Sequence, residues 1–192
     1  VVGERMILVD NVLKTMQEFV AWHRENVRSS NGKYITGSER LPVIGLTGTN
    51  GKTTTKELVK AVLASKYNVS GTEGNLNNSI GVPLTVLGFT PETEIAIVEM
   101  GASHPGDIKE LVEVAHPDFG LITNVGKAHL LGFGSFAGVC ATKGELYDYL
   151  SENQGLAFVN SDNVYLSEMV ADRGLEKVVR YGKDRMQATL LP

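Results

Sequence analysis

The sequence contains a single cysteine, Cys140, which excludes an internal disulfide bond. It lacks a signal-peptide pattern and any apolar run long enough to cross a bilayer, so we expect a cytoplasmic protein with no membrane partner. Basic residues form no stripe, and 18 Lys and Arg against 22 Asp and Glu give a net charge of −4, which argues against a nucleic-acid partner. With 42% apolar residues among 192, the chain has enough core for one α/β domain with an appendage, and a small molecule is the expected partner.

The segment 43–56 has the order of a phosphate-binding P-loop: an apolar strand, a glycine-containing loop and the start of a helix. Glycines let backbone N–H groups turn toward phosphate oxygens, and a helix N-terminus adds positive potential. The match is a variant, because Leu46 occupies the position of the usual first glycine. Lys52 is expected at the β- and γ-phosphates, and the Thr53 hydroxyl is expected on Mg²⁺. The predicted nucleotide contacts are Gly48, Thr49, Asn50, Gly51, Lys52, Thr53 and Thr54.

Hydrophobic periodicity predicts the elements around this loop. Helices are expected at 12–28, 52–67, 103–115, 135–150 and 163–171, and strands at 6–9, 43–46, 95–98, 119–125, 156–159 and 177–181. Strands that alternate with helices predict an α/β fold with a mostly parallel sheet flanked by helices.

Two polar groups follow the P-loop helix. Asn75, Asn77 and Asn78 lie in one loop, and although single asparagines usually form turns, three so close together favour contact with a phosphate or substrate. Glu99 closes the apolar run 95–98, at the carboxyl end of a strand, where ligands gather in α/β sheets. A carboxylate there suits Mg²⁺, whereas the alternatives are a helix cap or a plain surface position.

The helix predicted at 135–150 has one anomaly. Its apolar stripe consists of Phe136, Val139, Cys140, Leu146, Tyr147 and Leu150, and Lys143 lies inside that stripe. A buried, unpaired ammonium would have a lowered pKa and become a neutral nucleophilic amine. Alternatively, Lys143 extends its ammonium out to water from the edge of the stripe.

Five segments resemble the Mur ligase family, in family order and spacing within residues 43–145. They are 47–54 (TGTNGKTT), 74–85 (GNLNNSIGVPLT), 98–102 (VEMGA), 128–135 (AHLLGFGS) and 142–145 (TKGE). The first is shared with folylpolyglutamate synthases, but the second and fourth are more specific. The resemblance is strongest to the branch that joins D-alanyl-D-alanine to a UDP-N-acetylmuramoyl tripeptide.

The resemblance implies a P-loop NTPase-like central domain within a three-domain enzyme. Residues 1–30 would end the UDP-substrate domain, 31–40 would be a linker, and 41–192 would be part of the ATP-binding domain, with the C-terminal domain absent. We expect a monomer.

The resemblance also implies residue roles. Lys52, Lys143 and His129 would be catalytic, with ATP and Mg²⁺ as cofactors and with Thr53, Glu99, His129 and a carbamylated Lys143 at the metal. The asparagines at 75, 77 and 78 would face the nucleotide and the UDP-linked substrate. One departure is Leu131, where the family usually has an acidic residue after His-Leu. We expect His129 to keep its role, but the resemblance does not extend to the residue that would orient the metal site.

The implied reaction has two steps: a peptide carboxylate takes the γ-phosphoryl group of ATP, and the amine of D-alanyl-D-alanine then displaces phosphate. The alternatives are a folylpolyglutamate synthase-like enzyme, another P-loop ATPase such as a kinase, or a non-catalytic nucleotide-binding module. No arginine occurs between Leu41 and Asp172 to serve as the lid arginine of a kinase, and no Asn-Lys-x-Asp guanine-binding motif is present.

Overall fold

A computed structural model describes residues 6–28, 39–126 and 130–183. The strands are β1 (Val43–Thr47), β2 (Val69–Gly71), β3 (Ile95–Glu99), β4 (Phe119–Ile122), β5 (Leu156–Asn160) and β6 (Val178–Tyr181). The helices are α1 (Val12–Asn26), α2 (Lys52–Ala64), α3 (Gly81–Leu87), α4 (Asp107–Ala115), α5 (Leu130–Phe133), α6 (Phe136–Glu152) and α7 (Val164–Asp172). Within the described ranges, no helix is long and apolar enough to cross a membrane.

The six strands form one parallel sheet in the order β2-β3-β1-β4-β5-β6. The strand β1 lies in the middle, with Leu46 paired to Glu99 of β3 on one side and to Leu121 of β4 on the other. Because all strands run in the same direction, their carboxyl ends meet at one edge. The loop after β1 is therefore flanked there by the residues that end β3 and follow β4.

The helices cover the two faces of the sheet unequally. On one face, α1 packs against α3 and α4, α4 packs against α6, and α6 packs against α7. The later crossovers all run across the sheet toward β6, whereas the crossover from β1 to β2 runs away from it. Because connections between parallel strands are right-handed, α2 lies on the other face, where it contacts β1, β2 and β3. The close contact between α6 and the sheet requires small residues: a Cβ at Gly120 would lie 2.4 Å from Leu150.

The helix α1 begins as predicted, with the Asn11 side chain accepting a hydrogen bond from the Lys14 backbone N–H. Its Val20 belongs to the main core, and its fully buried Arg24 donates to Ala115 O at 3.0 Å and to Asp118 Oδ2 at 3.1 Å. This helix is therefore attached to the α/β sheet domain. The division at residues 30 and 40 stays a prediction, and residues 31–38 of the expected linker lie outside the described residues.

The predicted fold class is confirmed, and several local predictions need correction. Residues 6–9 form no strand, since none of the six strands in the described part of the chain pairs with them. The short strand β2 and the helix α3 were not predicted, since three residues and seven residues carry too little periodicity. The strand predicted to reach Val125 ends at Ile122, which releases the next residues to contact the P-loop.

Candidate nucleotide and metal site

The P-loop has a backbone conformation that favours glycine at two positions. Gly48 has φ +146°, and a Cβ there would lie 1.9 Å from Thr123 Oγ1. Gly51 has φ +75° and occupies the N-cap position of α2. Lys52 opens the helix, and its Nζ donates to the carbonyl oxygens of Gly48 at 3.0 Å and Thr49 at 3.4 Å. The lysine therefore folds back over the loop, toward the place predicted for phosphate.

The first turn of α2 offers the donors that a phosphate needs. The backbone N–H groups of residues 52–54 precede the first intrahelical hydrogen bond, from Thr55 N to Gly51 O, and have no partner within the helix. Such a terminus attracts anions. The side chain of Thr54 is exposed, whereas Thr53 turns toward β3.

Glu99 lies at the end of β3, within reach of α2. Its side chain is only 1% exposed, and Oε1 accepts hydrogen bonds from Thr53 Oγ1 at 3.3 Å and from Asn77 Nδ2 at 2.9 Å. Its Oε2 is buried and has no hydrogen-bond partner among the residues that the structure describes. A buried carboxylate oxygen without a partner is unfavourable, so this atom fits a cation. The surface and helix-cap alternatives for Glu99 are wrong.

Thr72 and Lys56 support Glu99 from behind. Thr72 Oγ1 accepts a hydrogen bond from the backbone N–H of Glu99 at 2.9 Å. Lys56, 1% exposed, donates from Nζ to Thr72 O at 2.7 Å and pairs with Glu57 at 2.9 Å. The end of β3 is thus fixed by a residue of the loop after β2 and by a buried lysine one turn after Lys52.

Lys143 lies on α6 and is 3% exposed, so almost all of its side chain is packed inside the fold, and the alternative in which it extends out to water from the edge of the stripe is wrong. Nζ lies 5.7 Å from the centroid of the Phe133 ring. Burial, followed by repulsion from Lys52, lowers the pKa of Lys143 from 10.5 to about 8, although Asp107 and Glu145 act in the opposite direction. The amine is therefore neutral in a larger fraction of molecules than that of an ordinary lysine.

The three predicted asparagines have different positions. Asn77 contacts Glu99, as described, and joins the site directly. Asn78 Oδ1 accepts from the backbone N–H groups of Ile80 at 3.1 Å and Gly81 at 2.9 Å, which starts α3. Asn75 has an exposed side chain. His129 lies outside the described residues, as does the side chain of Leu131, so their predicted roles stay predictions.

Comparison with known proteins identifies the family. The Mur ligase middle domain matches residues 46–190 of this sequence. The chain belongs to the Mur ligase family. It is 41% identical over 157 residues to the UDP-N-acetylmuramoyl-tripeptide--D-alanyl-D-alanine ligase of Escherichia coli K12, with 82% of this chain and 32% of that relative covered. The chain thus spans about a third of the length of the curated relatives that it matches.

Solved structures distinguish the Mur ligase family from the folylpolyglutamate synthase-like alternative. The MurF ligase of Thermotoga maritima in complex with ADP is similar with a TM-score of 0.80 and 33% identity, over 96% of this chain and 40% of that one. Escherichia coli FolC in complex with DHPP and ADP is similar with a TM-score of 0.54 and 13% identity, over 93% of this chain and 48% of that one. The second likeness shows a shared fold alone. The predicted membership of the Mur ligase family is confirmed.

Four residues that support this Mur ligase site were missed by sequence reasoning: Lys56, Thr72, Thr123 and Asn124. The rule that polar residues at carboxyl strand ends converge was applied to Glu99 but not to the residues after β4. Had the strand been predicted to end at Ile122, Thr123 and Asn124 would have been recognised as polar residues at its carboxyl end. Lys56 and Thr72 had no comparable signal, because their hydrogen bond joins a helix to an unpredicted strand end.

Proposed function

We propose that the protein is an ATP-dependent ligase that joins D-alanyl-D-alanine to a UDP-N-acetylmuramoyl tripeptide, a step of peptidoglycan precursor synthesis. The observation that carries the proposal is the buried carboxylate of Glu99, with one unpaired oxygen, beside the Thr53 hydroxyl at the end of a P-loop. The substrate class rests on the 41% identity to the Escherichia coli ligase. In this proposal residues 41–192 belong to the central ATP-binding domain, and the protein acts as a cytoplasmic monomer.

The P-loop would hold the nucleotide. The ADP complex of the similar Thermotoga maritima ligase supports a nucleotide at this position. The N–H groups at the start of α2 would bind phosphate oxygens, and Lys52 would exchange its two carbonyl contacts for the β- and γ-phosphates. Phosphoryl transfer depends mainly on positioning and charge neutralisation, and a lysine and a helix terminus supply both.

Mg²⁺ fits the residues present, because Thr53 and Glu99 are oxygen donors and Glu99 Oε2 needs a partner. Within its described ranges, the structure contains no cluster of three or more His, Cys, Asp or Glu side chains that could hold a metal ion. Water, His129 and a modified Lys143 would therefore complete the ligand set. When bound, Mg²⁺ would neutralise phosphate charge and orient the phosphoryl group.

Lys143 would be carbamylated in the active enzyme. Its neutral amine, favoured by a pKa of about 8, would add to CO₂ with loss of one proton and so form a carbamate. This reaction replaces a buried cation by an anion, and the nearby Lys52 ammonium would attract that anion. A carbamate here would thus explain why a lysine lies inside an apolar stripe.

In the proposed reaction, an oxygen of the tripeptide carboxylate attacks the γ-phosphorus, and ADP leaves with the bridging oxygen. The amine of D-alanyl-D-alanine then attacks the acyl carbon, phosphate departs, and the nitrogen loses a proton. Lys52 would stabilise the charge on the transferred phosphoryl group. Asn77 and Thr53 would hold the Glu99 carboxylate in place throughout.

Product analysis on the protein at its full natural length tests this proposal. ATP, the UDP-linked tripeptide and D-alanyl-D-alanine should give ADP, phosphate and one new amide bond, as detected by mass spectrometry. Omission of the dipeptide should abolish the amide product. Transfer of phosphate to a stable product would instead indicate a kinase, and glutamate addition to a folate would indicate the folylpolyglutamate class. ATP hydrolysis with no new bond would also contradict the proposal.

A further inference from the structure

The P-loop residue Asn50 has both of its backbone polar groups paired with a single side chain. Its N–H donates to Asn124 Oδ1 at 3.1 Å, and its carbonyl oxygen accepts from Asn124 Nδ2 at 2.9 Å. Thr123 Oγ1 adds a second donor to the same carbonyl at 2.7 Å. Asn124 follows β4, and it reaches Asn50 because β4 pairs with β1.

The same segment also holds the preceding loop residue. The Thr49 N–H donates to Asn124 O at 3.0 Å, and Thr49 Oγ1 accepts from the Gly126 N–H at 3.0 Å. Residues 49 and 50 are therefore held on both sides by residues 123–126. None of these contacts uses the N–H groups at the start of α2, which stay available to phosphate.

We propose that Asn124 is a positioning residue that holds the P-loop in its nucleotide-binding conformation before the nucleotide binds. This inference rests on the proposed nucleotide site and deepens it. We call the two hydrogen bonds between the Asn124 side chain and the Asn50 backbone the clamp. Without the clamp, the nucleotide itself would have to order the loop, and the entropy cost of ordering it would weaken binding. Asn124 therefore raises affinity without touching the nucleotide.

The chemistry of the amide explains why asparagine suits this position. Its oxygen accepts and its nitrogen donates, so one flat group satisfies the N–H and C=O of one residue. Leucine has a similar size but neither function. An aspartate carboxylate accepts from the N–H, yet it lacks the donor for the carbonyl and brings a negative charge near the phosphates.

The test measures ADP affinity by calorimetry on the protein at its full natural length. Asn124→Leu should weaken binding about tenfold or more, because two hydrogen bonds that preorganise the loop are lost. Asn68→Leu is the matched control, since Asn68 Nδ2 donates to a backbone carbonyl, Glu92 O, at 2.9 Å, at the opposite end of the sheet. This control should bind ADP as the wild type does. A merely structural role would lower the thermal midpoint of Asn124→Leu but leave its ADP affinity unchanged.

Asn124→Asp adds a pH readout. A protonated carboxyl group regains a donor for the Asn50 carbonyl, and an ordinary aspartic acid has a pKa of about 3.9, so the loss of affinity relative to wild type should be smaller near about pH 4 than near about pH 8. Affinity of Asn124→Leu within about twofold of wild type, or an aspartate defect that is equal at both pH values, would overturn the clamp. Absence of ADP binding by the wild type would overturn the nucleotide site itself, which distinguishes the two failures.

Discussion

Replacement of Lys143 by methionine should stabilise the folded protein and abolish the proposed ligase activity. Lysine and methionine have similar length, so the substitution removes the ammonium with little change in packing. Lys143 is almost fully buried, and its ammonium has no hydrogen-bond or ion-pair partner among the residues that the structure describes. The buried ammonium should therefore lower the free energy of unfolding of the wild type.

The pKa of Lys143 sets the size of the effect. One pKa unit corresponds to about 1.4 kcal/mol, so a shift from 10.5 to about 8 implies a ceiling of about 3 kcal/mol at neutral pH. The methionine also loses the attraction between the ammonium and the Phe133 ring, which lies 5.7 Å away. We expect a net gain in the free energy of unfolding of about 2 kcal/mol.

The dependence on pH gives the prediction its direction. Below pH 8 the lysine is charged in both the folded and the unfolded protein, and the full destabilisation is present. Between about 8 and 10.5 the folded protein has released the proton while the unfolded chain still binds it, so wild-type stability rises relative to the variant. At about 1.4 kcal/mol per pH unit, the advantage of Lys143→Met should fall by about 2 kcal/mol, and so almost disappear, by about pH 9.5.

Urea unfolding in metal-free, CO₂-depleted buffer at about pH 7 and about pH 9.5 measures the difference in the free energy of unfolding between Lys143→Met and wild type. Lys66→Met is the matched control, because the Lys66 ammonium also lies over an aromatic ring, that of Tyr67 at 5.4 Å, but is exposed. The control should change stability by less than about 0.5 kcal/mol. A Lys143→Met protein that is less stable than wild type at pH 7, or a gain that does not vary with pH, would refute the reasoning.

The remaining predictions concern activity and binding at the same site. Lys143→Ala should lose most product formation and recover part of it with added short-chain carboxylates, whereas Lys143→Arg should be inactive and unrescued; near wild-type turnover by the arginine variant would contradict the carbamate. Lys52→Ala should abolish ADP binding in calorimetry, and unchanged affinity would rule out the P-loop assignment. Gly48→Ala should lower the free energy of unfolding by about 1–3 kcal/mol and also weaken ADP binding, because its Cβ would clash with Thr123. Gly106→Ala, at a positive φ with open space around the Cβ, should show a stability loss without a binding defect, and a binding defect there would count against the clash as the cause.

Local sequence patterns were enough to identify the main residues of the candidate site. The conformations of Gly48 and Gly51 follow from backbone sterics, so a short motif identifies the P-loop before any tertiary contact is known. The position of Glu99 follows from an apolar run that ends in a carboxylate. Lys143 was singled out by helical periodicity, and the structure confirms that it lies in the core of the fold.

What a local pattern misses is the environment of those residues. Sequence alone left open whether Lys143 reaches water and whether Asn78 binds a ligand or forms a turn. The first question depends on Phe133 and on the packing of α6 against its neighbouring helices and strands, and the second on the backbone of residues 80 and 81. Burial and hydrogen-bond partners are properties of the packed chain.

The sequence by itself determined the family, the alternation of strands and helices, and the presence of residue types that suit phosphate and metal binding. Only the tertiary structure decided which strand ends meet. Thr53 and Glu99 are 46 positions apart, and Asn50 and Asn124 are 74 positions apart. Their contacts exist because β3 and β4 both pair with β1, and that order arises from packing of the whole sheet and its helices. Periodicity reports which face of an element is apolar, but it does not report which element lies beside it.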